Sequence, residues 1–217
     1  MRENVRAKKT EERREQVNTP YSFIYFLYQS RLSKRLKHPE REENEYYVTD
    51  LVRCPLKREY EERYPELVER FIIHPPFVIG DLVHEILENK VTLYDDFFET
   101  EVSKQKELKI QDEIYVISGR IDILRGNRGI ELKVSRTDEG IPHQHHIDQC
   151  RAYNWLFDLE GTLLVYITFD RLAEFWISDR MTDDEVKERI QSTLAPRYSW
   201  ECKYCPFAVV CSNKRKS

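Results

Sequence analysis

Three ionisable residues stand close together in the run SGRIDILRGNRGIELKVSR, residues 118–136: Asp122, Glu131 and Lys133. Each lies among apolar neighbours that favour strand, and charge inside a strand is costly unless it is paired or binds a metal. Alternation along a strand puts Glu131 and Lys133 on one face and Leu132 on the other, and Asp122 can join them from a hairpin partner roughly 5 Å away. Two carboxylates that close repel each other, which favours a hard divalent cation between them. The lysine can orient a water or offset charge on a phosphate. Metal, water and lysine together suit hydrolysis of a phosphodiester.

Two neighbouring segments offer further groups. The stretch GDLVH places Gly80 and His84 on a helix, where His84 is either another ligand or a group that orients the attacked phosphate. In HHIDQCRAY, His146, Gln149 and Tyr153 recur at steps of three and four, hence on one helix face. Gln149 and Tyr153 can bond phosphate oxygens or the lysine amine, and Tyr153 can stack on a base. Cys150 points away from that face and reads as a core thiol.

These residues need a frame. TPYSFIYFLYQSRLSKRL reads as a helix with Thr19 as cap and Pro20 in its first turn, ending in the basic residues Arg31, Lys34, Arg35 and Lys37. YVTDLVRCPLKREYEERYPELVERF reads as helical, capped at Thr49 or Asp50, with Cys54 in its early turns. PPFVIGDLVHEILENKVTLY is a helix by the spacing of Val78, Leu82, Ile86 and Leu87. Strands are expected near 98–108, 113–124 and 129–135, a helix over about 143–159, two more strands around a turn at Arg171, and a helix capped by Thr182. This order predicts an α/β fold, a mixed sheet flanked by helices in one layered domain. Residues 1–45 read as an N-terminal helical arm and residues 46–217 as the domain that carries the site.

The cysteines are unevenly placed. Cys202, Cys205 and Cys211 form C-x2-C-x5-C, and Cys54 is the natural fourth thiolate. Zinc sites more often come as two close pairs. Cys54 and Cys205 are each followed by Pro, as at the end of the bacterial ferredoxin cysteine run. An iron–sulphur cluster is therefore favoured over zinc, and it would fasten the N-terminal helices to the end of the chain.

Composition excludes little. Lys and Arg number 35 against 39 Asp and Glu, so the net charge of −4 argues against an all-over basic surface but leaves room for a basic cleft. No run approaches the ~20 apolar residues of a membrane helix, and the charged start MRENVRAKKTEERREQ has no signal-peptide centre, so a cytoplasmic protein is expected.

G-x3-H, then D, then E-x-K, then Q-x3-Y, in that order across helix, strand, strand and helix, resembles the RecB-like branch of the PD-(D/E)xK nucleases. One cysteine before these motifs and three after resembles its iron–sulphur subgroup. With VTDLVRCPLKREY and a short chain, the resemblance extends over roughly residues 47–211 to the CRISPR-associated exonucleases of the fourth Cas family. The resemblance implies a restriction-endonuclease-like sheet with Mg or Mn on His84, Asp122, Glu131 and the main-chain carbonyl of Leu132. It also implies a catalytic Lys133, accessory DNA-handling roles for Gln149 and Tyr153, and a cluster, 4Fe–4S rather than 2Fe–2S, on Cys54, Cys202, Cys205 and Cys211. The implied activity is metal-dependent trimming of single-stranded DNA from a 5′ end for spacer acquisition, beside the CRISPR integrase and other adaptation proteins. Two rival readings are a non-catalytic cluster module that binds DNA ends for a partner nuclease or integrase, and a repair endonuclease with the same core. The intact Asp122, Glu131, Lys133 set argues against the first, since a binding module needs no carboxylate pair facing a lysine.

Overall fold

The structure, a computed structural model, describes residues 22–35, 41–69 and 71–215. The chain divides into two compact units, residues 1–38 and 39–217. In the first, helix α1 spans Phe23–Arg35. The expected cap Thr19, Pro20 and the basic Lys37 lie outside the described residues.

The second unit opens with β1 (Glu45–Tyr47), α2 (Val48–Leu51), α3 (Leu56–Arg63), α4 (Pro65–Glu69) and α5 (Pro75–Tyr94). Then come β2 (Glu99–Ile110), β3 (Glu113–Arg125), β4 (Arg128–Ser135), α6 (Gln144–Phe157), β5 (Gly161–Thr168), β6 (Leu172–Ile177) and α7 (Asp183–Gln191). Of two short 3-10 turns, Glu201–Tyr204 contains Cys202 and Pro206–Val209 lies between Cys205 and Cys211. The later elements lie where the sequence places them. Pro75 and Pro76 open α5, where a missing N–H costs nothing. Thr182 and Glu185 cap α7 reciprocally: Glu185 N–H donates to Thr182 Oγ1 at 3.1 Å, and Thr182 N–H donates to Glu185 Oε2 at 2.8 Å.

The cysteine helix differs from expectation. Neither Thr49 nor Asp50 is its cap: Tyr47 precedes α2, and Asp50 sits inside it, accepting the Tyr47 N–H at 2.8 Å. Cys54 is not helical, because Pro55 disfavours a helical residue before it and lacks the N–H to continue the ladder. The helix resumes as α3 and breaks again at Tyr64, before Pro65. Strand β1, three residues long, is too short to show a period and was not foreseen. It starts at Glu45.

The sheet has six strands in the order β1-β3-β4-β5-β6, with β2 paired along β3. β1 runs parallel to β3, β4 parallel to β5, and the other pairs are antiparallel. On the edge of β3 opposite β2, residues 116–118 pair with β1 and residues 123–125 pair with β4. The stretch 119–122 between them has no strand partner on that edge. The core lies between the sheet and α2, α6 and α7, built on Leu51, Ile117, Ile121, Leu156 and Val186, each buried. Gly119 lets α6 approach: a methyl there would stand 2.6 Å from Leu156 Cδ2 and 2.8 Å from Val48 Cγ2.

A buried carboxylate ties these helices to the C-terminal segment. Asp148 on α6 accepts from Tyr198 OH at 2.6 Å, Arg189 Nη2 at 2.9 Å and Gln144 Nε2 at 3.0 Å. Burial opposes its charge, but the hydrogen bonds of Tyr198 and the charge of Arg189 win and hold its pKa below the usual 3.8. A depressed folded pKa gives stability that is present above the unfolded value and lost as pH falls through the folded one. Asp148→Asn should therefore cost about 2 kcal/mol at neutral pH. Urea unfolding across pH should show that difference shrinking in acid, below the ordinary carboxylate range.

Candidate active site

The β3–β4 hairpin is real, turning at Gly126 with φ +61°, but its pairing ends at Ile123–Ile130. One step further the strands part, and Asp122 closes the gap with its side chain: Leu132 N–H donates to Asp122 Oδ2 at 2.7 Å. On β4 the alternation holds. Lys133 Nζ lies 2.6 Å from Glu131 Oε1. Helix α5 delivers His84, whose Nδ1 is 3.4 Å from Asp122 Oδ1.

A fourth group completes the set and was not singled out in the sequence. Glu88 follows His84 by one helical turn, with Oε1 3.7 Å from His84 Nδ1. Among the described residues, His84, Glu88 and Asp122 are the one group of three or more candidate ligands whose atoms all lie within 4.8 Å of one another. The signal was present as H-x3-E on an apolar helix, since residues four apart share a face. An acidic residue at that position is too common to single out alone.

The electrostatics are those of a site short of positive charge. Burial, then the neighbouring Asp122 charge, pushes Glu131 up to about 7 despite Lys133. Burial, then Glu101 and Asp122, raises Glu88 as well. Burial alone would lower His84, but its hydrogen bond to Asp122 and the charges of Asp122 and Glu131 raise it. Burial likewise works against charge on Lys133, and Glu131 overcomes it and holds the amine protonated. Two buried carboxylate oxygens, Glu88 Oε1 and Glu131 Oε2, have no hydrogen-bond partner. Hard oxygens left unpaired beside Asp122 and an imidazole are a donor set that a divalent cation fits.

Gln149 and Tyr153 stand on α6, and both are buried. Gln149 Nε2 donates to Tyr153 OH at 3.2 Å, and Tyr153 OH donates to the Arg120 carbonyl at 2.8 Å. Arg120 belongs to the stretch of β3 just before Asp122 that pairs with β2 on one edge and, among the described residues, has no strand partner on the other. Tyr153 thus braces the backbone that aims the carboxylate, and its ring, 4% exposed, leaves no face for a base. His146, expected on the same face, turns to Tyr166 instead, with Nδ1 2.7 Å from its hydroxyl. Cys150 is a fully buried core thiol.

Far along the chain from these motifs, Cys54, Cys202, Cys205 and Cys211 line a single small cavity, with Lys57, Tyr60 and Glu201. All four thiols are free. Glu201 organises the approach: its buried carboxylate accepts Cys54 N–H at 2.7 Å and Tyr198 N–H at 2.9 Å. Sequence reading missed it because nothing local marks a Glu that bonds 147 residues away.

A mixed sheet that splits around two carboxylates and a lysine, faced by a histidine-bearing helix, is the frame of a metal-dependent nuclease. Comparison with known proteins narrows this. No protein-family model matches the chain. CRISPR-associated exonuclease Cas4 of Saccharolobus solfataricus is 41% identical over 199 residues, 87% of this chain and 97% of that protein. The crystal structure of SSO0001 superposes with a TM-score of 0.84 at 39% identity, covering 91% of this chain and 100% of that one. An alkaline exonuclease from Laribacter hongkongensis reaches only 0.48 at 14% identity, over 77% of this chain and 91% of its own, too distant to bear on the site. The chain belongs to the Cas4 family of CRISPR-associated exonucleases. It is accordingly a nuclease. Among the described residues no helix is long and apolar enough to cross a membrane.

Proposed function

We propose that this protein trims single-stranded DNA from a 5′ end by metal-dependent phosphodiester hydrolysis, in the service of CRISPR spacer acquisition. The observation that carries the chemistry is the pair of unpartnered buried carboxylate oxygens, on Glu88 and Glu131, flanking Asp122 and His84 beside Lys133. His84, Glu88, Asp122 and Glu131, with the Leu132 carbonyl, would hold Mg or Mn. When bound, the ion supplies a Lewis acid at the scissile phosphate and an acidified water. Lys133, fixed by Glu131, would orient an attacking water and offset charge at the phosphate. Asp122 is held by the Leu132 amide and the Arg120 brace, so the carboxylate needs little reorganisation during the reaction. Gln149 and Tyr153 act through that brace as positioning residues.

The four cysteines would hold an iron–sulphur cluster, 4Fe–4S rather than 2Fe–2S, as the family resemblance implies. Its role is structural, joining the loop at Cys54 to the C-terminal turns. The partners are single-stranded DNA, the integrase and other adaptation proteins, and the setting is the cytoplasm. Residues 1–45 would serve as an arm outside the nuclease proper.

Oligonucleotides labelled at the 5′ or the 3′ end, incubated with anaerobically purified protein and Mn, test this reading. The 5′ label should appear at once in the shortest products, while the 3′ label shortens stepwise. Internal cuts with both labels in mid-length fragments would instead favour the endonuclease. Tight binding without cleavage would favour the end-binding module.

A further inference from the structure

A row of aromatic rings runs from the surface to the catalytic lysine. Tyr204, 64% exposed, lies 6.4 Å from Trp200, which is 40% exposed. Trp200 lies 4.6 Å from His145, His145 3.9 Å from His146, and His146 5.6 Å from Tyr166, measured between ring centroids. Tyr166 is buried on β5 and is the register neighbour of Lys133 on β4, so the two side chains share one face of the sheet. The row therefore ends beside the amine that meets the phosphate.

The outer rings are not explained by packing. Trp200 is supported on one side by Tyr198, stacked at 6.0 Å and 15°, and Tyr198 is itself fixed through its hydroxyl to Asp148. The rigid support leaves other indole surface in water. Lys203 Nζ sits 5.3 Å from the Tyr204 ring, which adds positive charge where the row begins. His145 is neutral at working pH, since burial and then the charges of His143 and Lys133 lower it to about 4. Its ring packs among His143, His146, Tyr198 and Trp200 and backs the exposed indole.

We propose that Tyr204 and Trp200 stack the unpaired bases of a single strand at the outer end of this row, whose inner end at Tyr166 is buried. The class of ligand follows from the chemistry. Stacked rings take base faces without regard to sequence, and an ammonium at the entrance suits the sugar-phosphate chain. A duplex buries those faces against its own neighbours, so the row selects for an unpaired end. This proposal rests on the nuclease reading for what lies at the inner end of the row.

The test uses full-length, cluster-loaded protein without divalent metal, so that binding is read apart from cleavage. The probes are a fluorescein-labelled single strand and the same strand with abasic residues in place of its bases. Trp200→Ala and Tyr204→Ala should each weaken binding to the intact strand about tenfold, and to the abasic strand by less than about twofold. Trp200→Phe should keep most of the affinity, and the visible absorbance of the cluster should be unchanged in all three. Hydrolysis of bis(p-nitrophenyl) phosphate with Mn should also be unchanged, because that small diester does not reach the row. The proposal is overturned if Tyr204→Ala binds the intact strand like wild type, or if the losses are equal on both strands. Base-dependent losses in the two alanine variants, with wild-type protein that fails to hydrolyse the small diester, would support the row and sink the nuclease reading.

Discussion

Lys133→Ala should slow phosphodiester cleavage by about 10²–10³-fold, the usual loss when one aimed charge is removed from a developing anion. The ammonium is fixed 2.6 Å from Glu131 Oε1, and that carboxylate is almost fully buried. Removing the lysine would leave a buried charge without its partner, a loss that costs about 3–5 kcal/mol where the charge has no escape. Here it has one. Glu131 already sits at about 7 through burial and Asp122, so the variant can take up a proton in place of the lost ion pair. The expected stability loss is accordingly nearer about 2 kcal/mol. The sign follows from the raised folded pKa: the metal-free protein is favoured below the unfolded value of 4.5 and loses that contribution as pH rises through about 7. Without Lys133 this window moves upward. Single-turnover rates at saturating Mn, with thermal unfolding across pH, separate the catalytic loss from the structural one.

Glu201→Ala should destabilise the protein by about 4 kcal/mol and release the C-terminal cysteines. The Glu201 carboxylate is 2% exposed and satisfies two amides, Cys54 N–H and Tyr198 N–H, with Lys57 Nζ at 3.8 Å. Each amide left buried without an acceptor costs about 1–3 kcal/mol, and Cys54 loses the contact that holds it toward Cys202 and Cys205. Glu201→Gln keeps one acceptor and should cost roughly half as much. Denaturant unfolding under anaerobic conditions gives the stability, and visible absorbance gives the cluster content of the same samples. Loss of stability with full cluster retention would show that the cysteines hold their own positions.

The sequence made the strand chemistry plain because two simple rules act locally. Alternation alone puts Glu131 beside Lys133, and a tight turn at Gly126 brings Asp122 across to them. Helices α5 and α7 were legible for equally local reasons, apolar residues at helical spacing and a capping threonine. What was hidden depends on distance along the chain. Strand β1 exists only because β3 offers it an edge, and three residues carry no pattern of their own. The break at Cys54 follows from Pro55, and the apolar spacing around it outweighed that one residue in the reading. Glu88, Asp148 and Glu201 look like ordinary surface acids in a highly charged sequence, and only folding brings each to its partners. Tyr153 was placed on the correct face of α6, but a ring that braces a backbone and a ring that meets DNA look alike in sequence.

His84, Glu88, Asp122 and Glu131 are proposed as one cation site served by Lys133. Calorimetric titration of Mn into cluster-loaded wild type, Lys133→Ala and Asp122→Asn tests it most directly. The account predicts one tight event in wild type, kept in Lys133→Ala although cleavage is lost. In Asp122→Asn it should weaken by about 10²-fold or more, since even groups behind a metal ligand cost 10- to 100-fold. Wild-type Mn affinity in Asp122→Asn would contradict the account and place the metal elsewhere.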